Sequence, residues 1–354
     1  MRTRFLSFVG ILFCFCGYAQ NNRNDALATF IQTKGDSLLK AQGWPGLFVG
    51  IADNGKRQYF NFGYAVPDEK RTFDSATVFE AGSITKTFTA YIVESVLGQK
   101  KINDTASILP YLPDSVQSNK ALAGITFLSL LNHTSGLPRL PDNLGVNSKT
   151  PYDNYTLADL FSYLKRCVPK PDGKSSYSNL GAGLAGVLAQ RLTGKSYRQL
   201  LDDYILQPFS VAAWDGRSYY QKAQGYFNGE KIAFWNMDAL APAGGLQCNA
   251  TGLLSYLEYM ANPRDPKARA VINTVLKPTV AVTPIINVCR AWHTLEQKDK
   301  PVIYWHNGGT YGFSTFTAFE RVSGKAVVVV VNQFNANAAS DALGIAILKR
   351  LLEE

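Results

Sequence analysis

Cysteine is scarce in this chain. Of 354 residues five are Cys, and two of those, Cys14 and Cys16, lie within the first twenty. The other three, Cys167, Cys248 and Cys289, form an odd set in which at most one pair can bridge, so a disulfide-rich scaffold is excluded. None of them has CxxC or metal-ligand spacing, and they read as buried small residues. Long apolar runs are absent beyond the N-terminus: none reaches the roughly 18 residues of a membrane span, which excludes a polytopic membrane protein. Runs of one charge are absent too. The formal net charge is +9, yet no Lys/Arg run exceeds two residues, Lys100-Lys101 being typical, so a nucleic-acid partner is not indicated. Histidine is limited to His133, His293 and His306, with no metal-like spacing between them. Neither internal repeats nor low-complexity tracts occur.

What is present is the composition of a folded globular protein, 46% hydrophobic and 18% charged. The length allows one large domain or two intimately joined ones. The first residues, MRTRFLSFVGILFCFCGYAQ, read as a secretory signal. Arg2 and Arg4 supply a positive start, Phe5 to Cys16 an apolar stretch, and Gly17-Tyr18-Ala19 small residues at the positions a peptidase reads. Cleavage after Ala19 lowers the charge to +7 and places the mature chain in the periplasm or outside the cell, with no transmembrane segment. A lipid anchor on Cys14 or Cys16 is an alternative, although the residues ahead of each suit it poorly.

Along the chain, Asp25 to Leu39 has helical apolar spacing. Gly46 to Ala52 and Gln58 to Ala65 read as strands joined by Asn54-Gly55, the strongest short hairpin signal. Helical patterns dominate from about Ile84 to about Ala261, with proline in the loops. Strands return at Ile286 to Thr294, Pro301 to His306, Phe313 to Phe319 and Ala326 to Val331, and Asp341 to Leu352 closes as a helix. Ala326 to Val331 (AVVVVV) suits a strand buried on both faces. The expected fold class is α/β (α+β): an antiparallel sheet built from the two ends of the chain, flanked by helices, with a large helical insertion. Its boundaries are a leader at 1–19, then one domain at 20–354. Within that domain a sheet lobe covers about 24–78 and 285–354, and a helical lobe about 79–284.

The chemistry starts at Ser83-Ile84-Thr85-Lys86. Three residues is close to one helical turn, so hydroxyl and amine share a face. Serine is a poor nucleophile unless a base adjoins it, and a lysine whose pKa is lowered by desolvation or a second cation can be that base. Ser37…Lys40 and Ser162…Lys165 repeat the spacing inside amphipathic helices and read as surface residues. Only Gly82-Ser83 follows a loop and opens a helix, where free N–H groups favour negative charge. Tyr177-Ser178-Asn179 follows a Pro/Gly/Ser-rich loop (KPDGKSS) and precedes a small-residue helix. A lysine ammonium beside Tyr177 would bring its phenol below the usual pKa near 10, making it a general base for Ser83. Asn179 could hold the Lys86 amine or donate to a substrate carbonyl. In His306-Asn307-Gly308-Gly309-Thr310, Gly308 and Gly309 let a substrate approach the sheet edge, and the Gly309 N–H could join that of Ser83 as an oxyanion hole. His306 could orient a substrate carboxylate or assist proton transfer; a glycine-rich turn with an incidental histidine is the plain alternative. His133 in LLNHTSGLP and His293 beside Trp292 read as structural.

These segments resemble the active-site motifs of the class C β-lactamase group of penicillin-recognising serine enzymes, which includes D-Ala-D-Ala carboxypeptidases, D-aminopeptidases and related esterases. The resemblance runs from about Leu47 to about Asn332. Phe79 to Thr89 is similar to that group's nucleophile segment, Leu130 to Pro138 to its following loop, Tyr177 to Gly181 to its tyrosine motif, and Ala241 to Leu246 to a further loop. It implies Ser83 as nucleophile, Lys86 and Tyr177 sharing the base work, and Asn179, His306, Gly308 and Gly309 as substrate and oxyanion residues. No metal or organic cofactor is implied. The partner is then a small molecule or peptide: D-amino-acid peptides, peptidoglycan fragments or β-lactams. One departure stands out. The β-lactamases usually carry Lys-Thr-Gly where this chain has His306-Asn307-Gly308, which is more like the peptidase branches. The readings left are a secreted serine hydrolase of D-amino-acid amides or esters, a class C-type β-lactamase, and a non-catalytic penicillin-binding sensor.

Overall fold

The computed structural model describes residues 12–145, 149–209 and 221–353, and for 12–24 only the backbone course. The leader reading rests largely on residues outside the described ones. Among the described residues no helix is long and apolar enough to cross a membrane. Cys167, Cys248 and Cys289 are free and buried.

The two ends of the chain build one antiparallel sheet of eight strands. Its order in space is Lys56–Gly63, Gly46–Asp53, Ala326–Val331, Ser314–Glu320, Ile303–Gly309, His293–Leu295, Ile286–Val288 and Val280–Thr283. Asn54 and Gly55 both take positive φ, 49° and 78°, the backbone that a tight hairpin needs to match strand twist. Ala326–Val331 lies third in the sheet and is fully buried throughout. Its side chains alternate with the pleat. Val327, Val329 and Val331 join Leu27, Ile31, Leu343 and Ile347 beneath the first and last helices. Val328 and Val330 face the helical half. A strand covered on both faces loses the polar alternation of a half-exposed one, which is why this run reads as continuous valine.

Two boundaries differ from the sequence reading. The sheet begins at Val280, ahead of the expected 285, because a short edge strand with mostly exposed side chains hides between Pro278 and Pro284. The segment from Ile286 to Thr294 is two strands, with Ala291 at φ 66° in the turn between them.

The helix that follows Ser83, Thr85–Lys100, runs through the middle of the other half, with every residue from Thr85 to Leu97 buried. Against it pack the helix Asn179–Thr193 and the short helix Ala241–Gly244. The small residues of Asn179–Thr193 serve this packing. A Cβ on Gly186 would sit 2.2 Å from Pro242, and one on Gly183 2.5 Å from Leu240. Only a bare backbone there lets the Leu240–Pro242 turn come close.

Candidate active site

Ser83 sits in a 3-10 turn, Gly82–Ile84, that leads directly into Thr85–Lys100. Gly82 has φ 53°, and a Cβ on it would lie 2.7 Å from the Gly309 nitrogen. Glycine is therefore required twice, by conformation and by space. A Cβ on Gly308 would meet the Ala81 carbonyl at 2.0 Å, so this strand end also packs backbone against backbone.

One turn on, Lys86 Nζ lies 2.9 Å from Ser83 Oγ and donates to the Ala243 carbonyl at 2.6 Å. Its side chain is 1% exposed. Burial pushes the amine well below its ordinary pKa, and the nearby charge of Arg139 adds to that. The segment presenting Ala243 is held by the same helix. Thr89 Oγ1 donates to the Pro242 carbonyl at 2.7 Å, and the Leu246 N–H donates to Thr85 Oγ1 at 3.1 Å.

The Tyr177 phenol hydrogen-bonds the Ser83 side chain, and its ring centroid is 4.8 Å from Lys86 Nζ. The expected lowering of its pKa does not occur. Burial raises it, against smaller opposing effects of the Ser83 hydrogen bond and Arg139. The same burial disfavours both charged forms, the Tyr177 phenolate and the Lys86 ammonium. The phenol therefore holds its proton at neutral pH, and the amine is shifted toward its uncharged, proton-accepting form.

The loop at His133 sets the position of Tyr177. His133 takes φ 65° and is buried, and its ring centroid lies 4.6 Å from that of Tyr177. Its Nδ1 accepts the Ser178 N–H at 3.3 Å, while its carbonyl accepts the Ser176 N–H at 2.8 Å. Ser178 then caps Asn179–Thr193, accepting the Gly181 N–H at 2.9 Å. Asn179 does not hold Lys86. Its Nδ2 donates to the Tyr152 hydroxyl at 3.1 Å, and its buried Oδ1 has no partner among the described residues.

Ser83, Asn179 and Gly309 line a cavity of about 340 Å³ together with Arg139, Tyr152, Trp235, Ala243, Thr310, Tyr311 and Asn337. Glu80 fastens its floor. One carboxylate oxygen accepts the Trp235 N–H at 2.6 Å and the other the Thr310 hydroxyl at 2.7 Å. Burial lifts this carboxyl to about 7. The first turn of the closing helix, Asn337–Glu353, holds the strand Ile303–Gly309: Asn337 Nδ2 donates to the Gly308 carbonyl at 2.8 Å, and Asn307 Nδ2 donates to Asp341 at 2.6 Å. Arg139, Tyr152, Ala243 and Glu80 are the residues that motif reading missed. Glu80 alone leaves a local trace, a carboxylate inside the apolar run Val78-Phe79-Glu80-Ala81.

His306 is placed differently from the expectation. It is fully buried, does not line the cavity, and has its ring centroid 5.4 Å from that of His293. Burial holds it well below its ordinary pKa. The geometry gives no support to a direct grip on a substrate carboxylate. A ring whose pKa is held down in this way has a measurable consequence. The pH profile of kcat/KM should keep its shape in His306→Gln protein, and a limb near pH 6.5 that vanishes in the variant would contradict this placement.

The model of the family described as Beta-lactamase matches residues 28–351. The chain belongs to the beta-lactamase family. Among curated relatives it is similar to a beta-lactamase of Providencia stuartii, 30% identical over 230 residues, which is 62% of this chain and 56% of that protein. It is also similar to a beta-lactamase of Pseudomonas fluorescens, 31% identical over 239 residues, 64% of this chain and 63% of that protein. The matched stretch thus spans 56% to 63% of the length of these two relatives. The fold is shared with a solved beta-lactamase/D-alanine carboxypeptidase from Pseudomonas syringae. That comparison has a TM-score of 0.79 and 22% identity, covering 92% of this chain and 99% of that one. A beta-lactamase from Sulfitobacter sp. EE-36 gives a TM-score of 0.80 at 20% identity, covering 93% and 98%. The serine β-lactamase architecture is therefore the fold of this chain.

Proposed function

We propose that this beta-lactamase-family chain is a serine hydrolase that passes through an acyl-enzyme on Ser83 and cleaves amide or ester bonds of D-amino-acid peptides or related small molecules. One observation carries the reading. A buried lysine amine, its pKa pushed well below the ordinary value, sits 2.9 Å from a serine hydroxyl on the wall of a cavity. In the step this supports, the Ser83 proton moves to Lys86 Nζ as Oγ bonds to the substrate carbonyl carbon. The oxygen charge falls between the Ser83 and Gly309 N–H groups. The Tyr177 phenol, already bonded to Ser83, hands a proton to the leaving group and is reprotonated from Lys86. Water then cleaves the acyl-enzyme by the same route. Export by the leader of residues 1–19 belongs to this proposal and rests on its charge and apolar stretch.

The second reading, a working β-lactamase, is favoured by the names of the curated relatives. Against it stands the strand Ile303–Gly309, where a buried His306 with a lowered pKa replaces the customary lysine. Intact-protein mass after mixing residues 20–354 with a penicillin separates the readings. A persistent adduct, absent from Ser83→Ala, is expected for the slow-deacylating hydrolase. No adduct with the penicillin consumed would establish the β-lactamase instead. With neither adduct nor consumption, esters and D-aminoacyl amides become the test, and inertness to all of them would sink the hydrolase.

A further inference from the structure

Arg139 stands on the cavity wall with Ser83, Tyr152 and Asn179, at its solvent-exposed rim. Its backbone is fixed there, because its carbonyl accepts the N–H groups of Asn179 at 2.9 Å and Leu180 at 3.2 Å. Its guanidinium carbon lies 5.1 Å from the centroid of the Tyr177 ring. The side chain thus turns back over the nucleophile end of the site.

This arginine has no carboxylate partner among the described residues. Arg57, Arg166 and Arg290 are each paired with a carboxylate. The Arg139 guanidinium makes no ion pair or hydrogen bond with any described residue; its contact is with the Tyr177 ring face. Neither Asp nor Glu lines the cavity. The carboxyl that supports the wall, Glu80, is buried with both oxygens already engaged by Trp235 and Thr310. Five N–H donors in a rigid fork therefore stand at a cavity whose lining offers them no carboxylate. A planar carboxylate is the group whose geometry matches that fork bidentately.

We propose that Arg139 is the specificity-determining cation of this site and that the substrate places a carboxylate against it. This rests on the hydrolase reading given above and names the substrate's charge and where that charge is read. It also assigns the task of anion recognition to the wall of Tyr152 and Asn179, away from the strand that holds His306.

The test compares two activated esters that differ by one carboxylate, p-nitrophenyl butyrate and mono-p-nitrophenyl glutarate. Wild-type protein is expected to favour the glutarate in kcat/KM. Arg139→Gln should reduce the glutarate-to-butyrate ratio by about tenfold or more, chiefly through KM, as loss of a charge-assisted pair implies. The ratio is the readout because any change at Lys86 or Tyr177 affects both esters alike. Arg139→Lys should restore part of the preference, and raising the salt from about 0.05 to about 0.5 M should weaken it. An equal ratio in wild type and Arg139→Gln would overturn the proposal. Ser83→Ala protein supplies an arm that needs no turnover. It should bind monomethyl glutarate more tightly than methyl butyrate in calorimetry, and lose the difference when Arg139→Gln is added. Arg139-dependent binding without turnover by wild type would refute the hydrolase and keep the anion site. Turnover with no Arg139-dependent preference would do the reverse.

Discussion

Ser83→Ala protein is expected to lose at least about two orders of magnitude in kcat/KM toward an activated ester, and Tyr177→Phe a similar factor. Each tenfold corresponds to about 1.4 kcal/mol of transition-state stabilisation. In the proposed mechanism Ser83 supplies the atom that bonds to the substrate, so its loss leaves only what the cavity and the backbone N–H groups can do for attack by water. Tyr177 acts differently. Its phenol bonds Ser83 and keeps its proton at neutral pH, so Phe removes the shuttle while the ring still packs against His133 and Arg139. The two variants should therefore part company in mass spectrometry. Tyr177→Phe retains a nucleophile and should still accumulate some acyl-enzyme over long incubation; Ser83→Ala should accumulate none. Wild-type rates in purified Ser83→Ala protein would remove the nucleophile assignment altogether. Neither change disturbs a packed core, and unaltered thermal transitions would establish that the loss is chemical.

Lys86→Met should separate activity from stability. The rate is expected to fall by at least about a hundredfold, since the proposed base is gone. Stability is expected to rise. In the folded chain Lys86 is buried and its pKa is lowered, whereas the unfolded chain has the ordinary value near 10.5. Below that value the unfolded state binds a proton that the folded state does not, so this group increasingly opposes folding as pH falls from about 10.5 toward its lowered folded value. Methionine keeps the apolar stem and carries no such penalty. The Tm advantage of Lys86→Met over wild type should thus be wider at about pH 6.5 than at about pH 9.5. The Ala243 carbonyl loses a donor in the variant, but it lines the cavity and can take water. A gap that narrows on acidification would show that Lys86 is charged in the folded protein, and with that its role as a neutral base would fail. A functional group that costs stability is the ordinary condition of an active site.

Other parts of the site are less sensitive to single atoms. Glu80 secures Trp235 and Thr310 from beneath, and the closing helix secures Gly308 and Asn307. These contacts fix where the cavity wall stands; they do not take part in proton transfer.

What the sequence determined by itself is what depends on neighbours along the chain. Ser83 and Lys86 share a face because three residues make nearly a turn, and Asn54-Gly55 makes a hairpin because both residues tolerate positive φ. Valine repeated from Val327 to Val331 makes a strand covered on both sides. The order of the motifs, with their contexts, was enough to indicate the family. What only the tertiary structure decided is the charge state of each group and the partners that set it. Lys86 meets a carbonyl 157 residues away, and Glu80 a hydroxyl 230 residues away. Tyr177 keeps its proton, His306 is sealed behind the site, and Arg139 faces the cavity with no acid beside it. Desolvation is a property of everything that surrounds a group, and most of what surrounds these was brought there by the fold from distant parts of the chain.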